Sequence, residues 1–330
     1  MVLKRPLENW SNESAKRLII DSKEPELMDL TEEDQDIELD QKMESVVAEL
    51  LKSHPYPIHQ ALLKLKIPEI TLIVRRLLKK GISPDLQDKY GDTALHLAVM
   101  GDGVDYQVIV ELLNHGANTE IRNIDREIPL SLAIENYKNE SEKVKIIKKL
   151  LKHGANPNVH GRNGDTSLHK SCLNGNISIT KILLEYGANV NLLNDNKEAP
   201  LHMTFLGAQN QREDVELVIK ELLKHGADVN LQNNYGGTIL HDAASEENIP
   251  ESLFQELFKH GADPNVKDLS GETPLHMAVH FEQKTNVKNL LKYVADPNIR
   301  HKNGYSSFET ALTCEEKGIF RMLIFDHPFQ

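Results

Sequence analysis

Cysteine is nearly absent from this chain, with Cys172 and Cys314 the only two in 330 residues. That excludes the disulfide framework of a small secreted domain, and both thiols are expected to be reduced, as in the cytosol or the nucleus. No stretch reaches the roughly 18 apolar residues of a membrane span, and the N-terminus has no signal-peptide apolar core. A basic stripe is also lacking: 38 Lys and Arg face 50 Asp and Glu, for a net charge of −12. Most of the excess is local, because residues 21–49 hold twelve acids against Lys23 and Lys42. Binding to nucleic acid or to an anionic membrane is therefore not expected. Aromatic residues make up only 5% of the chain, and Trp10 is the sole one in residues 1–42. This acidic, apolar-poor stretch cannot offset its ordering entropy and is expected to be a disordered tail.

Catalytic apparatus is missing too. There is no Gly-rich phosphate loop, no Gly-x-Ser-x-Gly elbow and no kinase signature, and neither cysteine sits in a reactive motif. Neither enzymatic activity nor a cofactor is expected.

What the chain does have is self-similarity. Gly-Ala-Asn/Asp-x-Asn recurs at residues 154–158, 187–191, 226–230 and 261–265, after a Leu-Leu pair in the first three and after Leu257-Phe258 in the last. A Thr/Ala-x-Leu-His tetrad follows about ten residues later. Tetrads centre on Leu95, Leu130, Leu168, Leu201, Leu240 and Leu275, with steps of 35, 38, 33, 39 and 35 residues. A unit of that size cannot bury its apolar face alone and must stack on its neighbours. The all-α solenoid this implies has about seven helix-turn-helix repeats with β-turn fingers. It spans residues 55–330, with a degenerate first repeat around Pro57-Ile58-His59 and a C-terminal cap from Lys302. Met43, Val46, Val47, Leu50 and Leu51 recur at helical spacing and predict a capping helix over 43–54.

Within each unit the Thr hydroxyl is expected to cap the first helix, with Pro favoured next, as in Thr273-Pro274. The second helix should end at Gly116, Gly154, Gly187, Gly226 or Gly261, where the left-handed region suits glycine. Arg126 and Lys197 replace the glycine of the finger tip, so those turns must change geometry or hold a side chain at positive φ.

The run Lys267-Asp268-Leu269-Ser270-Gly271-Glu272-Thr273-Pro274-Leu275-His276, closed by the Gly-Ala-Asp-x-Asn segments, resembles the ankyrin-repeat family. That resemblance implies a protein-recognition array whose finger tips and exposed first-helix positions form a concave binding face. The corresponding partner-binding candidates here are Tyr90, Met100, Arg126, Arg162, Leu173, Leu206, Tyr235 and Phe281, with Ile124 and Leu269 also at finger tips. It also implies that Asn191, Asn230 and Asn265 occupy positions open to asparagine hydroxylation. The fifteen histidines recur mostly once per unit, at the tetrad and before the helix-ending glycine. That period predicts a structural role, and no metal site is expected.

In the tail, Leu27-Met28-Asp29-Leu30 followed by Thr31 and acids looks like a SUMO-interaction motif, a short apolar strand with an acidic flank. Thr31 also fits an acidophilic kinase site. The expected function is a non-enzymatic, monomeric scaffold that binds a protein partner in the cytoplasm or nucleus. Three narrower versions stand beside it: an IκB-like inhibitor of a transcription factor, an effector secreted by an intracellular bacterium, and a substrate adaptor of a ubiquitin ligase. The adaptor version is disfavoured because no ligase-docking box follows the array before Gln330.

Overall fold

The computed structural model describes residues 32–64, 69–100, 106–136, 139–207, 212–312 and 317–325. Among them are seventeen α-helices, no strand and one isolated antiparallel bridge, Arg300 with Ser306. The chain falls into two compact units, residues 1–98 with 103–117 and residues 99–102 with 118–330.

The first unit begins with α1 (Glu32–Ser53), then α2 (Pro57–Lys64), α3 (Ile70–Lys79), α4 (Ala94–Met100) and α5 (Tyr106–Asn114). Helix α1 starts about ten residues before the expected boundary at Met43, so the assignment of all of 1–42 to a disordered tail is corrected. Once the stripe of Met43, Val47 and Leu50 is buried, each further helical residue adds a hydrogen bond without a new nucleus, and the helix propagates outward. Arg76 on α3 donates to the Asp40 carboxylate and carbonyl and to the Glu44 carboxylate, holding α1 in place. Helix α3 buries Ile70, Ile73, Val74, Leu77 and Leu78, partly against α5, where Arg75 pairs with Glu111 at 2.7 Å.

The second unit repeats one plan. First helices α6 (Pro129–Asn136), α8 (Ser167–Leu173), α10 (Pro200–Leu206), α12 (Ile239–Ser245), α14 (Pro274–His280) and α16 (Ser307–Ala311) alternate with second helices. The second helices are α7 (Glu140–Lys152), α9 (Ile177–Glu185), α11 (Arg212–Lys224), α13 (Glu251–Lys259), α15 (Lys284–Lys292) and α17 (Lys317–Phe325). The expected Leu pairs, Leu150-Leu151, Leu183-Leu184, Leu222-Leu223 and Leu290-Leu291, are all buried. Second helices end where Gly154, Gly187, Gly226 and Gly261 turn to φ between 82° and 89°. At the equivalent position after α15 stands Val294, at φ 68°.

Capping follows expectation and adds a partner. In Thr166, Thr238 and Thr273 the hydroxyl closes a capping box with the tetrad histidine and pairs with its Nδ1 at 2.8–3.0 Å. The same Nδ1 accepts the N–H of the capping residue at 3.0–3.2 Å. Ala199 has no hydroxyl, yet its N–H still reaches His202 Nδ1 at 3.1 Å. The imidazole is therefore the constant element of this cap. With Nδ1 accepting, Nε2 carries the proton and donates to the next finger, at Glu198, Leu231 and Glu272 carbonyls in turn. In the first unit His59 bonds the Asp92 carbonyl at 2.9 Å, so the degenerate repeat keeps the tetrad's work.

A second period ties the helix ends together. Asn158, Asn191 and Asn230 each donate from Nδ2 to the next helix-ending glycine carbonyl, at 2.9–3.1 Å. Their Oδ1 atoms accept the N–H two residues further on, from Asn189, Asp228 and Asp263. Asn265 continues the ladder to Val294 and Asp296, with its Nδ2 rung stretched to 3.4 Å.

Candidate protein-recognition face

Several fingers are templated by their first side chain. Asn123, Asn194, Asn233 and Asp268 accept two backbone N–H groups across the turn, which presents the tip residue outward. Neighbouring fingers then join by single backbone bonds, Asp195 N–H to Asn163, Asn234 to Asn196, Leu269 to Tyr235 and Lys302 to Ser270. A Cβ on Gly236 would lie 2.7 Å from the Leu269 nitrogen, so glycine there permits the close approach as well as its φ of 78°. Arg126 and Lys197 resolve their missing glycine by holding side chains at φ 66° and 56°.

The sequence-selected residues divide by exposure. Leu206 (52% exposed), Tyr235 (75%) and Phe281 (47%) present large apolar surface, and Leu269 (62%) and Ile124 (65%) do the same at finger tips. Arg126 and Arg162 are exposed finger-tip cations. Tyr90, Met100 and Leu173 are half-buried. Lys89 lies over the Tyr90 ring, 4.9 Å from its centroid, and so covers part of that side chain. Leu27, Met28, Asp29, Leu30 and Thr31 lie outside the described residues, as does Cys314. Asn191 and Asn230 are exposed but engaged at both ends of their amides, as described above.

One feature escaped the sequence reading. The tetrad at Ile128 to Ser131 has neither Thr nor His, and Ser131 cannot reach the next finger. Instead the buried Glu127 carboxylate takes the Ser131 hydroxyl, the Arg162 N–H at 3.3 Å and the Lys170 ammonium at 2.8 Å. Lys170 also binds Glu135 at 2.6 Å. The signal was available in the paired loss of His at 131 and gain of Lys at 170. Glu127 belongs to a file of finger-base carboxylates with Asp165, Glu198 and Glu272.

Burial moves several groups. His169 and His276 are lowered to about 4 and His202 and His241 are lowered as well, in each case chiefly because the enclosed site disfavours the imidazolium. The Cys172 thiol is buried and pushed up to about 12, which leaves it unreactive at neutral pH. Asp165 is raised by burial despite the Asn194 amide bonded to it at 2.9 Å. Asp242 rises to about 7, first from burial and then from the negative fields of Glu198 and Glu246. Among the described residues no three His, Cys, Asp or Glu side chains are grouped to hold a metal ion, and no helix is long and apolar enough to cross a membrane.

Comparison with known proteins agrees with this geometry. Two family models described as ankyrin repeats match, one over residues 58–160 and 130–217 and the other over 222–278 and 257–311. The E3 ubiquitin-protein ligase KEG of Arabidopsis thaliana is 34% identical over 98 residues, 29% of this chain and 6% of that protein. Mouse (Mus musculus) ankyrin repeat and SOCS box protein 6 is 36% identical over 132 residues, 37% of this chain and 30% of that protein. The chain thus spans less than a third of the length of these curated relatives. Among solved structures, the ankyrin repeat domain of Bcl-3, a member of the IκB family, superimposes with a TM-score of 0.58 at 24% identity, over 71% of this chain and 99% of that one. The tetrads, glycine-ended helices, stacked fingers and family matches lead to one assignment: this chain belongs to the ankyrin-repeat family.

Proposed function

We propose that the protein is a non-enzymatic, monomeric scaffold that recognises one protein partner through its finger tips and the C-terminal ends of its first helices. The observation that carries this reading is the set Leu206, Tyr235, Leu269 and Phe281, large apolar side chains that stay exposed although buried positions alternate with them. Fixed apolar anchors of this kind supply most of the binding energy at interfaces, and a stack ordered beforehand loses little entropy on association. The test is affinity purification from the native cell with the triple variant L206A/Y235A/F281A. Loss of a co-purifying protein is expected, whereas L217A, which removes an exposed leucine from second helix α11, should retain it. Retention by both variants would reject the face.

Among narrower roles, similarity to a SOCS-box protein favours a substrate adaptor of a ubiquitin ligase, and co-purification of ligase subunits would decide it. The likeness to Bcl-3 is one of fold. An IκB-like role requires a transcription factor in the same purification, and a bacterial-effector role requires a host protein. The tail motif at Leu27 to Leu30 is proposed as a SUMO-type contact, to be tested by titrating purified SUMO against the chain and its L27A/L30A variant. Hydroxylation of Asn191, Asn230 or Asn265 is tested by mass spectrometry of protein from the native cell.

A further inference from the structure

The last repeat does not close the stack with a polar surface. A terminal repeat ordinarily turns a polar outer face to water, because nothing stacks on it. Here the registers that stacking fills are apolar and open. Phe308 on α16 and Phe320 on α17 are half-buried, and Leu312, which caps α16, is 61% exposed. In the preceding repeat the same registers hold Leu275, Val287 and Val279, all 0% exposed. Their counterparts one repeat earlier, Leu240, Phe254 and Ala244, are buried just as completely. The Phe308 and Phe320 ring centroids lie 5.2 Å apart, so the two helices of the last repeat share one apolar surface.

Two polar fittings are open in the same repeat. Asn158, Asn191, Asn230 and Asn265 each clip the following helix end through both atoms of the amide. Asn298 is next in this file, and its N–H is held by Asp296 at 2.8 Å as that of Asn191 is by Asn189 at 3.0 Å. Its exposed side-chain amide nevertheless meets no partner among the described residues. Likewise the carbonyls of Asn163, Asn196, Tyr235 and Ser270 each accept an N–H from the next finger, whereas the Asn303 carbonyl of the last finger accepts none among those residues. Turn and finger are thus built as they are inside the stack and keep the groups that elsewhere join one repeat to the next.

An apolar surface, a side-chain amide and a finger carbonyl in these registers specify an occupant more closely than exposed hydrophobicity would. Between inner repeats the same combination is met by a helix pair with its finger, and this end is continuous with that stacking interface. We propose that the C-terminal end of the array is a docking surface for a repeat-like helix pair of another polypeptide. The apolar stripe of that pair covers Phe308, Leu312 and Phe320, a helix-ending carbonyl accepts from the Asn298 amide, and a turn N–H donates to the Asn303 carbonyl. The surface is separate from the finger-tip face proposed above and does not rest on it.

The test replaces Leu312 with the photoreactive residue p-benzoylphenylalanine in the full-length chain, irradiates the native cell and sequences the cross-linked peptide. A segment of another polypeptide is expected, with apolar residues spaced i, i+3, i+4, i+7 on each side of a short turn. A synthetic copy of that segment should bind L312K at least tenfold and N298A at least threefold more weakly than the wild type. Urea midpoints of both variants should be unchanged, since both side chains are exposed. The copy should bind L206A/Y235A/F281A as tightly as the wild type; binding lost only on that triple variant would exclude the end surface and leave the finger-tip face standing. Cross-links confined to residues 326–330, or a lowered midpoint for L312K, would show that the chain covers this surface itself and overturn the proposal. Cross-links between two copies of the chain would overturn the partner assignment in favour of self-association. Absence of any cross-link, a cross-linked segment without that apolar spacing, or a copy indifferent to L312K would overturn the docking surface.

Discussion

Replacing Val294 with glycine should make the protein more stable. Val294 ends α15 at φ 68°, where the other second helices end in Gly154, Gly187, Gly226 and Gly261. A side chain in the left-handed region costs about 1–2 kcal/mol, and a β-branched residue lies at the upper end of that range. Glycine forfeits about 0.8 kcal/mol through its larger unfolded-state entropy. A Cβ built on the four sister glycines meets nothing within 4 Å, and Val294 is 47% exposed. Lost packing is therefore roughly 0.3 kcal/mol, which leaves Val294→Gly more stable by about 1 kcal/mol. The measurement is the urea midpoint at unchanged slope, where a rise reports this difference directly. The reciprocal change, Gly226→Val, should cost about 1 kcal/mol by the same balance of torsion, entropy and packing. A lower midpoint for Val294→Gly together with an unaltered one for Gly226→Val would refute the reasoning.

Three further outcomes follow from the buried polar groups and the fingers. The tetrad imidazoles titrate below the unfolded value of 6.5, so the folded state binds fewer protons between that value and about 4. Their neutral forms stabilise fully above pH 6.5, and this contribution is lost as pH falls toward 4, by about 1.4 kcal/mol per pH unit for each shifted imidazole. Asp242, raised to about 7, works in the opposite sense over the same range, so urea midpoints should fall from pH 7 to 5 and fall more steeply in D242N. A midpoint that is flat over that interval in both proteins contradicts the assignment. Lys170→Met leaves Glu127 buried without its cation and should cost about 3–5 kcal/mol, most of it recovered in E127Q/K170M; equal losses in the single and double variants would remove the ion pair from the account. Gly236→Ala forces a Cβ against the next finger and should lower the urea midpoint by about 1 kcal/mol more than Gly226→Ala, which meets open space.

Periodic residues were legible because their roles are local and repeated. Leucine pairs mark the buried side of second helices, glycine marks the left-handed stop, and Thr-x-x-His marks a helix start. Each is a short-range constraint that the chain restates every 33 to 39 residues. The same logic found the threonine cap. Only coordinates reveal that the imidazole satisfies the cap N–H even after Ala199, where no hydroxyl is present. Register assigns Tyr90 and Leu173 to a face but not the neighbours that half-bury them.

The sequence alone determined the class of fold and the finger positions, because stacking is the only way units this small can bury their leucines. Tertiary structure decided which carboxylates meet a cation and which do not. Glu127 meets Lys170 because residues 43 positions apart fall into contact when one repeat lies on the next, whereas no ion pair reaches Glu198 among the described residues. The energy of a charge depends on what surrounds it in space, and that neighbourhood is assembled only by folding.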